Sequence, residues 1–292
     1  MVLLFSTRKI ALLSAFVIAA VTCCHAYADV HVISGNVPDD EEDPYVILCG
    51  EADRAIADED YETAILRLKD AISIRPGNQS NLLLKSNLAV IYSTLGRDST
   101  ALHILDDALA EAPKMPTLLE ARGMTLLRLG RDKDALADFG NLIKIDSLNT
   151  TARFYHGMIS LYSGNREDAE NDFSILSSVA PDTHDTAIAL STLYSLTQRN
   201  REAIPYLEKL IETDPAAEYF ATLAGCYLAL DNLSEAGATI SRGLSLYPKD
   251  PELYYYRAWL NRERFLLDEA KEDGKTAIKL GASPARIKAL FR

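Results

Sequence analysis

The chain repeats one pattern of apolar and small residues from Tyr45 almost to its C-terminus. An alanine recurs at intervals of 37, 34, 34, 34, 33 and 34 residues. A bulky apolar residue follows six of the seven alanines by four positions, and a small or apolar residue follows by seven. Spacings of four and three place side chains on one face of a helix. The pattern therefore predicts helices that pack through this face. The alanines are Ala64, Ala101, Ala135, Ala169, Ala203, Ala236 and Ala270.

A period near 34 residues is the length of two short antiparallel helices and their turns. Such a pair cannot bury its apolar faces alone, so it must stack on copies of itself. Proline recurs twelve residues after five of the alanines, where its ring would end the second helix and open the loop to the next pair. These prolines are Pro76, Pro113, Pro181, Pro215 and Pro248. The pattern predicts an all-α solenoid of helix pairs.

The first helix of a predicted pair carries a small residue and then a large one, as in Leu88-Ala89-x-x-Tyr92 and Leu223-Ala224-x-x-Tyr227. Together with the alanine, the bulky residue and the proline, this order resembles the tetratricopeptide repeat family. The resemblance implies a right-handed superhelical solenoid of about seven helix pairs with a short C-terminal capping helix. The predicted repeats one to seven are residues 45–78, 82–115, 116–149, 150–183, 184–217, 217–250 and 251–284, and the predicted cap is 285–292.

Residues 1–28 have the pattern of a secretory signal peptide. Arg8 and Lys9 precede an apolar stretch, and Ala26-Tyr27-Ala28 supplies small residues where a signal peptidase cleaves. A membrane-spanning helix needs about 20 apolar residues, and the uninterrupted run here is shorter. A cleaved signal peptide is therefore favoured over an uncleaved anchor.

Lipidation is the other way in which the N-terminus could be processed. Val21-Thr22-Cys23 resembles a bacterial lipobox, in which a cysteine after small residues is lipidated and becomes the new N-terminus. Either route predicts an exported protein of the periplasm or cell envelope, with membrane contact only through a lipidated Cys23. Residues 29–43 are predicted to form an acidic flexible linker before the repeats.

The charge of the chain argues against nucleic acid as a partner. Removal of residues 1–28 leaves 28 Lys and Arg against 42 Asp and Glu, which is a net charge of −14. Such a charge repels phosphate backbones and anionic bilayers. The acidic run at residues 39–43 contrasts with nine basic and five acidic residues in 253–292. A solvated linker and a basic helix end are the favoured interpretation, and head-to-tail self-association is the alternative.

Motifs for catalysis or metal binding do not occur in the sequence. The five histidines stand singly, and the chain contains no H-E-x-x-H, C-x-x-C or G-x-S-x-G motif. We therefore expect no enzymatic activity, no cofactor and no metal. After cleavage only Cys49 and Cys226 would remain, in the first and sixth repeats, so we expect free buried thiols rather than a disulfide.

The resemblance also indicates where a partner would bind. In tetratricopeptide proteins the first helix of each pair lines a concave groove with its second, fifth, ninth, twelfth and thirteenth residues. Aromatic and methionine side chains there would make adaptable anchors, and packing against neighbouring repeats is the alternative. In repeats three, four and seven these groove places hold Met124, Leu127, Arg128, Phe154, Met158, Leu161, Tyr162, Tyr255, Trp259 and Arg262.

One known binding mode of the family is not expected here. Some members clamp the C-terminal carboxylate of a chaperone with Lys and Asn residues at the fifth and ninth places. In repeats one to three those places hold Cys49, Asp53, Ser86, Val90, Glu120 and Met124. No lysine or asparagine is among them, so the sequence predicts a different ligand.

The sequence leaves two hypotheses about function. The favoured one is a non-catalytic scaffold of the cell envelope that binds a protein or peptide in its groove, for example to assemble an envelope complex. The alternative is a glycan- or nutrient-binding envelope protein, in which Trp259 and the run Tyr254–Tyr256 stack on sugar rings.

Overall fold

A computed structural model describes residues 43–291 of the chain. The proposed signal peptide, Cys23 and the linker up to residue 42 lie outside the described residues. Within the described range the structure contains fifteen α-helices and no strand. In this part of the chain, no helix combines the length and apolarity that crossing a bilayer requires.

The described part divides into two compact units, residues 43–159 and residues 160–291. The first unit contains α1 (Pro44–Ala57), α2 (Tyr61–Ile74), α3 (Asn81–Thr94), α4 (Asp98–Glu111), α5 (Pro116–Arg128), α6 (Asp132–Ile145) and most of α7 (Thr150–Tyr162). The second contains the end of α7 and α8 (Arg166–Val179), α9 (His184–Leu196), α10 (Asn200–Thr213), α11 (Ala217–Ala229), α12 (Leu233–Leu246), α13 (Pro251–Glu263), α14 (Leu267–Lys279) and α15 (Pro284–Leu290).

Consecutive helices pack as pairs within each unit. In the first unit α1 packs on α2, α3 on α4 and α5 on α6, and α5 also contacts α3 and α4 of the preceding pair. In the second unit α9 packs on α10, α11 on α12 and α13 on α14, and α13 contacts both α11 and α12. The prediction of an all-α fold made of stacked helix pairs is confirmed.

The recurring alanines lie in the core of the pairs. All seven are fully buried, and the bulky residues four positions later are at most 1 % exposed. A methyl group at the first site lets two helices approach closely, and the larger side chain fills the space one turn later. The alanine pattern in the sequence therefore marks the seam between helices.

The last repeat breaks this row at Gly274, and the structure shows why. A Cβ atom added at Gly274 would lie 2.9 Å from Cγ2 of Ile287, which belongs to the short helix α15. Ile287 is 6 % exposed and Leu290 is 7 % exposed. The cap therefore supplies the bulky side chain that the other repeats carry in their own second helix.

The turn inside each pair requires one residue in the left-handed region. Gly96, Gly130 and Gly164 hold this position in repeats two to four, with φ of 73°, 74° and 88°. The last repeat places Phe265 there, with φ of 61° and 87 % of its surface exposed. An L-residue with a bulky side chain is strained in this conformation.

Candidate partner-binding surfaces

Five of the ten predicted groove residues have little exposed surface. Met124 is 3 % exposed, Leu127 5 %, Phe154 1 %, Met158 5 % and Tyr255 9 %. Met124 and Leu127 belong to the same buried cluster as the alanine and the bulky residue of repeat three. In this conformation the five side chains pack against the protein and offer a ligand little contact area.

The other predicted groove residues retain exposed surface. Leu161, Tyr162, Trp259 and Arg262 are partly exposed, and Arg128 is exposed. Arg128 is engaged on the protein itself, because its Nε donates to Oδ1 of Asp98 at 2.6 Å. Whether any of the ten contacts a partner stays a prediction.

Leu196 is a surface residue that the sequence reasoning missed. It is the last residue of α9 and is 46 % exposed. Counted from the start of repeat five, Leu196 holds the thirteenth place, which is the place that Tyr162 holds in repeat four. The register that selected Tyr162 would have found Leu196 if it had been carried into repeat five.

In repeat seven the cap engages two of the predicted groove residues. The guanidinium of Arg286 lies 3.7 Å from the ring centroid of Tyr255 and donates to Oε2 of Glu252 at 2.5 Å. Nη1 of Arg262 donates to the carbonyl oxygen of Leu290 at 2.7 Å. These contacts fasten α15 to α13, so Tyr255 and Arg262 already serve the fold.

The aromatic residues beside them are also packed on the protein. Trp259 donates from Nε1 to Oε1 of Glu263 at 2.9 Å, and its ring stacks on Tyr256 with centroids 6.2 Å apart. Tyr256 in turn lies against Gly225, where an added Cβ would come within 2.8 Å of the tyrosine ring. Burial raises the pKa of Tyr256 to about 12. This ring fills an internal gap and is not an open platform.

Glu120 is a charged residue on a first helix of the first unit whose carboxylate has no partner among residues 43–291. It lies on α5 at the fifth place of repeat three and is partly buried. Burial raises the pKa of its carboxyl group. Within residues 43–291, the structure shows no hydrogen bond or ion pair to this carboxylate.

Buried carboxylates elsewhere are paired. Asp138 on α6 is 3 % exposed and accepts two hydrogen bonds from Arg122 on α5, at 2.8 and 2.7 Å. Asp273 on α14 accepts two from Arg257 on α13, at 3.0 and 2.6 Å. The same spacing of sixteen residues separates both pairs, and the sequence reasoning overlooked it. These pairs hold the two helices of one repeat together and are structural.

The described residues contain no group of three or more His, Cys, Asp or Glu side chains placed to hold a metal ion. Cys49 and Cys226 are buried, and no disulfide joins them in the described part of the chain. Burial raises the pKa of the Cys226 thiol, which keeps it protonated and unreactive at neutral pH.

Comparison with known proteins adds two sequence relatives. A TPR repeat-containing protein of Methanocaldococcus jannaschii is 24 % identical over 207 residues, which cover 67 % of this chain and 35 % of that protein. The protein O-mannosyl-transferase TMTC1 of Homo sapiens is 24 % identical over 135 residues, covering 44 % of this chain and 15 % of that protein. The chain thus spans about a third or less of the length of these relatives.

Solved structures share the fold. A tetratricopeptide repeat protein from Parabacteroides merdae superposes with a TM-score of 0.62 at 24 % identity, over 85 % of this chain and 97 % of that one. YrrB, described as a TPR protein with an unusual peptide-binding site, superposes with a TM-score of 0.54 at 17 % identity, over 63 % of this chain and 96 % of that one.

The family model for the tetratricopeptide repeat matches residues 55–124 and 197–260. These stretches contain helix pairs of both compact units, including α3 with α4 and α11 with α12. Together with the buried alanine seam, this match shows that residues 55–124 and 197–260 consist of tetratricopeptide repeats.

Proposed function

We propose that this protein is a non-catalytic scaffold that binds a protein or peptide partner on the exposed groove places of its first helices. The carrying observation is Leu196, a leucine left 46 % exposed at a groove place. Tyr162 and Trp259 are partly exposed at groove places of other first helices. Covering a leucine gains roughly 1.5–3 kcal/mol when burial is complete, so covering the exposed part of Leu196 would contribute about 1 kcal/mol.

The family supports this proposal in general terms. Stacked helix pairs present an extended surface, and repeat proteins use such surfaces for binding. YrrB, a neighbour in fold, is described as a TPR protein with an unusual peptide-binding site. The human relative is named a transferase, but the match covers 15 % of that protein, so that activity is not carried over to this chain.

The proposed place of action is the cell envelope, where the scaffold would help to assemble a complex. This part of the proposal depends on residues 1–28, whose basic start, apolar stretch and small residues resemble an export signal. Mass spectrometry of the N-terminus in the producing cells tests it. A chain that begins at Asp29 or at a lipidated Cys23 supports export, and an intact Met1 in a cytoplasmic fraction contradicts it.

The glycan-binding alternative is the less well supported one, because two of its four aromatic rings are packed on the protein. It needs open aromatic faces on Trp259 and the run Tyr254–Tyr256. Tyr255 is covered by Arg286, and Tyr256 is packed between Gly225 and Trp259. We therefore retain protein binding as the proposed function.

The test compares two leucines of similar exposure, one on the first helix of repeat five and one on the second helix of repeat one. Leu196 is 46 % exposed on the first helix α9, and Leu66 is 52 % exposed on the second helix α2. Tagged full-length protein and its Leu196→Glu and Leu66→Glu variants are cross-linked in the producing cells, and captured proteins are identified by mass spectrometry. We expect Leu196→Glu to lose a partner that Leu66→Glu retains. Identical captured sets from all three proteins would count against the groove surface.

A further inference from the structure

The fifth and ninth groove places of the first unit carry acidic residues and no basic one, whereas Arg128 at a thirteenth place is paired with Asp98. The fifth and ninth places of α1, α3 and α5 carry only two charged residues, Asp53 and Glu120. The remaining four are Cys49, Ser86, Val90 and Met124. Cys49, Ser86 and Met124 are buried, so the places that reach solvent are Asp53, Val90 and Glu120. Two of these three carry a carboxylate.

The cations nearest to Glu120 along its own helix are already engaged. Arg122 binds Asp138 and Asp106, and Arg128 binds Asp98. On the neighbouring first helix α3, Lys85 is paired with Glu111. Among residues 43–291 no cation is therefore paired with Glu120, although each of these other carboxylates has one.

A partly buried carboxylate without a partner lowers the stability of the free protein. Loss of hydration disfavours the charged form, and the raised pKa of Glu120 has burial as its cause. A cationic side chain that arrives from outside would compensate for this loss and form a charge-assisted hydrogen bond in a partly dry site. A metal ion fits less well, because hard cations take six or more oxygen ligands and Glu120 belongs to no such cluster among the described residues.

We infer that Glu120 anchors a lysine or arginine side chain of the partner, so that the first unit selects a basic, extended segment of a protein. This inference rests on the proposed function, since it concerns the same kind of surface. The two basic residues are distinguished by geometry, because a guanidinium can form two parallel hydrogen bonds with one carboxylate whereas an ammonium acts as a point charge.

A random twelve-residue peptide display library provides the probe. It is selected against immobilised full-length protein, and the enriched peptides are then measured by fluorescence polarisation on four proteins. These are the wild type, Glu120→Gln, Glu120→Lys and Glu167→Gln. Glu167 is an exposed carboxylate on the second helix α8, so its replacement changes the net charge equally without touching a groove place.

We expect the enriched peptides to contain Lys or Arg and to bind Glu120→Gln about tenfold more weakly than the wild type. Glu167→Gln should bind like the wild type, and Glu120→Lys should select acidic peptides in a new selection. Equal affinity for the wild type and Glu120→Gln, or enriched peptides without basic residues, would overturn the role of Glu120 and leave the proposed function intact. Enrichment of no peptide would overturn both.

Thermal unfolding of the same variants separates recognition from structure. Because Glu120→Gln removes an unpaired, partly desolvated charge, we expect its melting temperature to equal or exceed that of the wild type. A clear drop in melting temperature would show that the carboxylate stabilises the fold, and it would contradict the inference.

Discussion

The pair formed by Arg122 and Asp138 offers the sharpest test of how the helices of one repeat are joined. The Asp138 side chain is 4 % exposed, and the Arg122 side chain is 26 % exposed. Two hydrogen bonds join them, and Arg122 keeps a third to Oδ1 of Asp106 at 2.8 Å. The hydrogen bond with Asp138 raises the pKa of Arg122 above its ordinary value, so the arginine stays charged at every pH at which the protein folds.

The exposure of the two partners sets the order of the expected effects. Breaking a buried ion pair costs about 3–5 kcal/mol when one charge is left behind. Asp138→Ala leaves an arginine that still reaches solvent and Asp106, so we expect the lower end, about 3 kcal/mol. Arg122→Met leaves the more deeply buried carboxylate alone, so we expect about 4–5 kcal/mol. The double variant Arg122→Met with Asp138→Leu removes both charges and should lie within about 1 kcal/mol of the wild type.

Urea unfolding followed by circular dichroism measures these free energies of unfolding. Repeat proteins can lose two-state behaviour, so amide hydrogen exchange of α5 and α6 should accompany the unfolding curves. The decisive quantity is the coupling between the two sites. If the double variant costs the sum of the single changes, the two side chains act independently. If Asp138→Ala lowers the free energy of unfolding more than Arg122→Met does, the expectation that an unpaired Asp138 is more destabilising than an unpaired Arg122 is wrong.

Three changes in the last repeat, and one comparison change in repeat three, provide further tests. Phe265→Gly should raise the free energy of unfolding by about 1 kcal/mol, because it relieves left-handed strain at an exposed position. Gly130→Ala should lower the free energy of unfolding, because it introduces such strain. Chemical denaturation measures both variants, and a loss of stability in Phe265→Gly would contradict the strain at this position. Gly274→Ala should displace Ile287 and increase hydrogen exchange in α15, and unchanged protection there would show that the cap does not depend on this contact. The raised pKa of Tyr256 stabilises the fold below the ordinary tyrosine pKa of 10.0, and this contribution is lost as the pH rises from about 10 to about 12. Tyr256→Phe should therefore lose less stability than the wild type over that pH interval. Identical pH profiles of stability for the two proteins would contradict this expectation.

The fold class followed from the sequence because the repeat pattern reports packing directly. Two helices can cross closely only where a small side chain stands, so Ala135 and its counterparts recur with the period of the helix pairs. Gly274 could not be interpreted in the same way. The bulky group that it accommodates comes from Ile287, and no repeat pattern predicts which side chain a terminal helix inserts.

The candidate surfaces were harder to predict, because the groove places of the family are not equally exposed in this structure. Phe154 at a fifth place is 1 % exposed, whereas Leu196 at a thirteenth place is 46 % exposed. The sequence also showed that Glu120 carries a charge, but the absence of a partner within residues 43–291 is a property of the three-dimensional arrangement.

The two proposed contacts, at Leu196 and at Glu120, depend on different interactions, so an experiment can distinguish them. Leu196 would contribute by the removal of apolar surface from water, which is nearly independent of salt. Glu120 would contribute through a charge, which added salt screens in proportion to its exposure. A partner whose affinity falls with salt in the wild type but not in Glu120→Gln uses the carboxylate. A partner that is insensitive to salt and is lost in Leu196→Glu uses the apolar place, so a salt titration of both variants assigns each partner to one contact.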